Sequence, residues 1–346
     1  MDLLTREDLL IVRLAFLVAA CLTLTVLTVQ VASADGGPHG GYTGTTDACA
    51  GCHRTHQGAA PKLLVAANTN LCLTCHGPTG TGSNIDVSDG IYRGTTAGHQ
   101  NAGLNSGGFS SAKQDTSLSG TPVSAAVTSI HQVQGMPGYS TTAMAWGAGA
   151  ISTTATPGQP FDLYCTSCHD PHGSKNYRLL RTTVNGKPVS VTQTDETTKD
   201  YTTPHYYKPT AGAGQWEIAS LCGACHTRYV ATASGSGETS STDIIFAYRH
   251  RIEAPSGATL NGLSYTFPTT LALPVSTTAG GAPTISPDNR SMVCLTCHYA
   301  HGTTASMGKN SGAVAWPGGA TAPNGNSRSS LLRLDNRGVC ENCHAK

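Results

Sequence analysis

Twelve of the thirteen cysteines fall into six copies of one pattern, Cys-x-x-Cys-His. The copies are Cys49-Cys52-His53, Cys72-Cys75-His76, Cys165-Cys168-His169, Cys222-Cys225-His226, Cys294-Cys297-His298 and Cys340-Cys343-His344. Two thiols at this spacing, with an imidazole directly after the second, suit covalent attachment of a c-type haem. The thiols form thioethers with the vinyl groups, and the histidine supplies one axial iron ligand. With 13 Cys and 14 His in 346 residues, residue frequencies predict roughly 0.02 copies by chance. Competing uses of cysteine fit worse. Redox Cys-x-x-Cys pairs come singly beside a βαβ pattern, zinc ribbons do not require a histidine after each knuckle, and a disulfide framework does not place one after every second cysteine. The expectation is six haem c groups with their irons.

The remaining histidines set the ligand arithmetic. Eight lie outside the motifs: His39, His56, His99, His131, His172, His205, His250 and His301. Six haems with two histidines each need six of them. Met136, Met144, Met292 and Met307 are a poorer source, and histidine at both axial positions implies low potentials. Motifs 1, 3 and 5 carry a second histidine, Cys-x-x-Cys-His-x-x-His, at His56, His172 and His301. Residues three apart on a helical turn share a face. The second histidine therefore cannot reach round to the far side of its own haem, and is expected to ligate another. A surface histidine or a propionate donor is the competing reading. His131 and His250 lie midway between attachment sites and are the next candidates, followed by His99 and His205. His39 sits in a Gly-rich N-terminal stretch expected to be mobile.

The elements that position these groups are sparse. The chain has 40 Gly and 18 Pro, with 12% charged and 6% aromatic residues. Such a composition struggles to bury a core against its ordering entropy, so the haems are expected to serve as much of that core. The formal charge of +1 gives no basic stripe for nucleic acid. The 88 residues between His76 and Cys165 show neither a sustained helical period nor clean alternation. They carry turn signals at Ser106-Gly107-Gly108 and Met136-Pro137-Gly138. Short helical turns are predicted over 217–229 and 337–344, and short strands near 187–194 and 262–267. The expected fold is a multihaem cytochrome c: mostly irregular coil, with short helices and few short strands wrapped around a haem chain. The alternation of extended and plain motifs suggests three tandem two-haem units.

The apolar run Leu14–Val31, followed by Ala32-Ser33-Ala34, reads as a signal peptide over 1–34, leaving one hexahaem domain over 35–346. Asp2, Glu7 and Asp8 outweigh Arg6 and Arg13, so translation starting near Val12 is an open alternative. Val18-Ala19-Ala20-Cys21 also resembles a lipoprotein box, and the run is near the lower length limit for an uncleaved anchor. No other segment suggests a permanent membrane span. Export agrees with attachment chemistry that belongs outside the cytoplasm.

The arrangement resembles the filament-forming hexahaem outer-surface cytochromes of metal-reducing bacteria, the OmcS-type extracellular cytochrome nanowires. The matching segments are Cys49-Ala-Gly-Cys-His-Arg-Thr-His56, Cys72-Leu-Thr-Cys-His76, Cys165-Thr-Ser-Cys-His-Asp-Pro-His-Gly173, Cys222-Gly-Ala-Cys-His226, Cys294-Leu-Thr-Cys-His-Tyr-Ala-His301 and the terminal Cys340-Glu-Asn-Cys-His-Ala-Lys346. The resemblance implies protomers stacked end to end, with one haem near the C-terminal end ligated by a histidine of the next protomer. His56 occupies the position of that histidine. It also implies a register in which His172 ligates haem 1, His301 ligates haem 3, and His56 ligates haem 5 of a neighbour. The expected partners are other copies of the chain, other electron-transfer cytochromes and extracellular acceptors such as metal oxides, electrodes or partner cells. A monomeric periplasmic or surface shuttle is the alternative. A multihaem reductase is disfavoured, because an enzyme needs an open coordination site and spare histidines are plentiful.

Overall fold

The computed structural model describes residues 39–40, 47–95, 100–117, 121–141, 144–145, 147–148, 159–191, 217–229, 276–277, 290–291, 294–307, 330–336 and 338–341. Among them are six α-helices: α1 (Asp47–Ala50), α2 (Asn68–His76), α3 (Cys165–Cys168), α4 (Glu217–Gly223), α5 (Cys294–Cys297) and α6 (Gly338–Glu341). Each carries, or opens into, one Cys-x-x-Cys-His motif. A single turn is enough to gather the three groups. The motif histidine N–H closes on the first cysteine carbonyl at 2.8 Å for His53, 3.0 Å for His169, 2.9 Å for His226 and 3.0 Å for His298. The helix expected over 217–229 is α4 followed by a 3₁₀ turn at Thr227–Tyr229, and that over 337–344 contains α6. No helix of the described residues is long and apolar enough to cross a membrane.

The described strands pair in six two-stranded antiparallel ladders. β1 (Ile85–Asp86) pairs with β2 (Ile91–Tyr92), and β3 (Ser111–Gln114) with β4 (Val123–Ala126). β6 (Met144–Ala145) pairs with β7 (Gln159–Pro160), β8 (Thr183–Val184) with β9 (Lys187–Pro188), and β10 (Ser276–Thr277) with β11 (Arg290–Ser291). The strand expected near 187–194 begins as β9. It is turned by Asn185 at φ 47° and Gly186 at φ 70°, the two positive φ values that a tight hairpin requires. The strand expected over 262–267 lies outside the described residues.

The sixth ladder positions the site. β5 (Ser129–Ile130) pairs with β12 (Gly302–Thr303) in the register Ile130↔Gly302 and Ser129↔Thr303. It brings His131 and His301 to the same end, with the His131 N–H bonded to the His301 carbonyl at 2.9 Å. The Ser106-Gly107-Gly108 turn supports it, because the His301 N–H donates to the Ser106 carbonyl at 2.8 Å. Gly107 has φ +71°, and a Cβ there would lie 1.8 Å from the Gly302 carbonyl oxygen. Only glycine allows so close an approach.

The described residues between 77 and 164 are more ordered than their composition suggests. Phe109, Ala112, Val127, Ile130, Val133 and Met136 form a buried apolar cluster, so the polypeptide supplies part of its own core. Met136 is 5% exposed within that cluster, and its thioether is committed to packing. A second cluster around Leu180, Val191, Ile218 and Leu295 packs α4 and α5 against the β8–β9 hairpin.

Gln114 locks β3 to β12. Its buried side chain accepts from Thr303 Oγ1 at 3.1 Å and from the Thr304 N–H at 2.8 Å, and donates to the Gly302 carbonyl at 3.2 Å. Gln114→Ala is expected to cost roughly 2–3 kcal/mol, because buried partners lose their hydrogen bonds. Denaturant unfolding of the native and variant chains measures this; a midpoint within error of native would show that the amide does not hold the ladder.

Candidate haem-binding sites

Four of the five described motif histidines face another histidine ring at a nearly constant distance. Ring centroids are 6.0 Å apart for His53 and His172, 6.1 Å for His76 and His39, 6.4 Å for His169 and His301, and 6.3 Å for His226 and His131. Two imidazole nitrogens each about 2 Å from a shared metal put their ring centres roughly 6 Å apart. In every pair one ring belongs to a Cys-x-x-Cys-His turn and the other does not. The described residues contain no group of three or more His, Cys, Asp or Glu able to hold a metal, so the arrangement is two-sided and unlike a zinc cluster. The residues present fit a haem held by two thioethers and two imidazoles.

The rings are fixed from behind. In five of them the Nδ1–H donates to a backbone carbonyl: His39 to Pro171 at 2.8 Å, His53 to Lys62 at 2.8 Å, His131 to Ala300 at 2.5 Å, His169 to Arg178 at 2.9 Å and His298 to Ser330 at 2.8 Å, whereas the buried His301 Nδ1 finds no such partner. His76 makes a longer contact to the Ile85 carbonyl, at 3.3 Å. A proton held on Nδ1 leaves Nε2 free to donate to a metal, which is how backbone carbonyls orient ligating histidines elsewhere.

Motifs 1, 3 and 5 share a device that motif 2 lacks. The three acceptors Lys62, Arg178 and Ser330 have φ of 62°, 48° and 50°, and the leucines after them, Leu63, Leu179 and Leu331, have φ of 60°, 59° and 63°. The N–H after each motif histidine then bonds to that leucine's carbonyl, Arg54 to Leu63 at 2.8 Å, Asp170 to Leu179 at 2.7 Å and Tyr299 to Leu331 at 2.8 Å. A second leucine bridges back to the histidine: Leu64 to His53, Leu180 to His169 and Leu332 to His298. The next N–H closes on the second motif cysteine, Val65 to Cys52 at 3.0 Å, Arg181 to Cys168 at 2.8 Å and Arg333 to Cys297 at 2.9 Å. Sequence reading found the odd–even alternation of motifs but not this x-Leu-Leu partner. Its signal is Lys-Leu-Leu at 62–64, Arg-Leu-Leu at 178–180 and Ser-Leu-Leu at 330–332.

The attachment turns adjoin in chain order. Thiols of motifs 1 and 2 are near enough for Cys75 to help burial push Cys52 up. Motifs 2 and 3 meet through a Cys72–Cys165 hydrogen bond. That contact, with burial, pushes the Cys72 thiol up, and the same contact brings Cys165 down to about 7 against the opposing effect of burial. Asn68 on α2 also bonds Thr166 on α3 at 2.8 Å. Burial and the nearby Cys225 of motif 4 push Cys168 up to about 11. Cys222 and Cys294 repeat the contact between motifs 4 and 5, raising Cys222 and lowering Cys294. The sequence of turns is thus 1–2–3–4–5.

Other candidates part company with these. His56 is exposed and faces no ring among the described residues. His298 has its carbonyl anchor but no facing histidine among them. Cys49 and Cys340 are exposed. Cys343, His344, His99, His205 and His250 lie outside the described residues. Of the arginines near the motifs, Arg333 stacks on Tyr299 at 4.1 Å and donates to the Leu295 carbonyl at 2.7 Å, while Arg178 lies 5.0 Å over Tyr177.

The comparisons agree with this chemistry. The family model described as "Doubled CXXCH motif" matches residues 39–81 and 159–186. The first stretch runs from His39 through motifs 1 and 2, and the second holds motif 3 with its Arg178-Leu179 turn. No curated protein and no solved structure matches. The match spans a minor part of the chain; with the six motifs it indicates haem c binding of the multihaem c-type kind and points to electron transfer.

Proposed function

We propose that this protein is an exported hexahaem electron conduit whose protomers join end to end, delivering electrons to acceptors outside the cell. When bound, the haems supply one-electron transfer. The chain sets their spacing, ligation and exclusion from water. One observation carries the reading: the second histidine of each extended motif faces the motif histidine of the previous extended motif. His172 faces His53 and His301 faces His169. Continued by one step, the rule seats a neighbour's His56 on His298. His39 and His131 complete motifs 2 and 4. Motif 6 takes its second ligand from the remaining histidines, His99, His205 or His250.

Electron microscopy of material sheared from cells, with mass spectrometry of the mature chain, tests this directly. Filaments of chains bearing six haems are expected. Discrete monomers would favour the shuttle reading, and a persistent high-spin signal in filaments would favour an enzyme with an open iron.

The histidine pairs also set an acid limit. Burial, and then the neighbouring His226, depress His131 to about 4. Burial, and then His169, depress His301 to about 3. Folded values below the ordinary 6.5 mean that the unfolded chain binds more protons. The stability these rings provide is therefore complete above that value and is lost as pH falls towards 4 and then 3. A visible-spectrum titration is expected to hold its low-spin form at neutral pH and to lose it only on the acid side of pH 6.5. Conversion above pH 6.5 would contradict the burial.

A further inference from the structure

The x-Leu-Leu turns behind motifs 1, 3 and 5 use an expensive conformation. Two successive non-glycine residues with positive φ are strained and persist only where their surroundings impose them. Here the pair recurs three times, always at the same place relative to a motif histidine, with the same three hydrogen bonds. Its side chains do not explain it. Lys62, Leu63 and Ser330 are exposed, and Leu63 is a large apolar residue left half in water. What the three copies share is a carbonyl directed at Nδ1.

We propose that Lys62-Leu63, Arg178-Leu179 and Ser330-Leu331 are positioning residues that set the reduction potentials of haems 1, 3 and 5. This rests on the motif histidines being haem ligands but not on filament formation. A carbonyl held against Nδ1–H draws the proton away from the ring and makes Nε2 a stronger donor to the iron. A stronger donor favours the ferric over the ferrous state, so each turn lowers the potential of its own haem. The left-handed dipeptide is needed because only that turn of the chain aims a carbonyl inward while the next one bonds the N–H after the histidine. Motif 2 has no such turn, and its Nδ1 contact is longer, at 3.3 Å. The device therefore acts on haems 1, 3 and 5 and not on haem 2.

The test compares two replacements at one exposed site. Lys62→Gly keeps the left-handed turn without strain, whereas Lys62→Val places a β-branched residue where it cannot stay. Both remove the same charge, so any difference between them comes from the carbonyl. Ser330→Gly and Ser330→Val repeat the comparison at motif 5 without altering charge. Potentials are read by spectropotentiometric titration, and ligand geometry by the g-values of the low-spin ferric signals. The valine variants are expected to raise one reduction step by on the order of tenfold in the ferrous-to-ferric ratio, about 59 mV for one electron, with one altered low-spin signal. The glycine variants are expected to keep native potentials and signals. Valine and glycine variants with the same native-like titration would overturn the proposal. So would a valine variant that loses stability but shifts no step. If one valine variant loses its haem, the other site decides. A chain that stays monomeric leaves the comparison intact, so failure of the filament reading is recognised separately.

Discussion

A His56→Ala chain is expected to carry as many haems as the native chain and to form no filaments. His56 is exposed and belongs to no Cys-x-x-Cys-His turn, so its loss removes no attachment group and disturbs no buried contact. Its loss does remove the ligand that the register assigns to haem 5 of the next protomer. The chain should run as a monomer, with one haem turned high-spin. Added imidazole should return that haem to low spin by filling the vacant position, and should not rebuild filaments, because free imidazole joins nothing. Size-exclusion chromatography, microscopy and the high-spin signal report the three outcomes. Intact filaments from this variant would refute the register.

The second large effect is expected from the ligands that no motif announces. His39→Ala and His131→Ala should each open one haem, which then binds one equivalent of carbon monoxide when reduced, beyond what the native chain takes up. His131→Met should instead keep six ligands and raise one reduction step, since a methionine ligand raises the potential. His131 lies at the end of the β5–β12 ladder with its Nδ1 fixed at 2.5 Å, so the backbone should hold the substitute in place. Unchanged carbon monoxide uptake in both alanine variants would remove these residues from the ligand set.

The attachment turns were legible because their chemistry is local: three groups gathered by one helical turn leave a five-residue signature. For His172 and His301 the sequence suggests a helical face shared with the motif histidine, but the helices end at Cys168 and Cys297 and His169 is already extended, so the pairing holds while its helical reason does not. His39 was not legible. The Gly-rich sequence around it suggests mobility, and the Pro171 carbonyl that holds its ring is 132 residues away. The left-handed turns escaped for a different reason. They follow the motif histidine by 9 residues in two copies and by 32 in the third, so no fixed period reveals them. The small ladders over 77–164 were invisible because strands of two to four residues are too short to show alternation. What orders that segment is the meeting of its turns with residues near 302, a contact between distant parts of the chain.

The direction of the histidine pairing also bears on biogenesis. Motifs 2 and 4 meet histidines that precede them, His39 and His131, whereas motifs 1 and 3 meet histidines from the following extended motif. A chain emerging N-terminus first can therefore close the even sites as soon as their own turns appear. The odd sites must wait for the next module to arrive. Maturation would then alternate between immediate and deferred closure, and each deferred site would hold the growing protein open to the haem-attachment machinery. Under the proposed register the fifth site would be deferred to a neighbouring polypeptide, so the last step of folding one molecule would also be the first step of recruiting another.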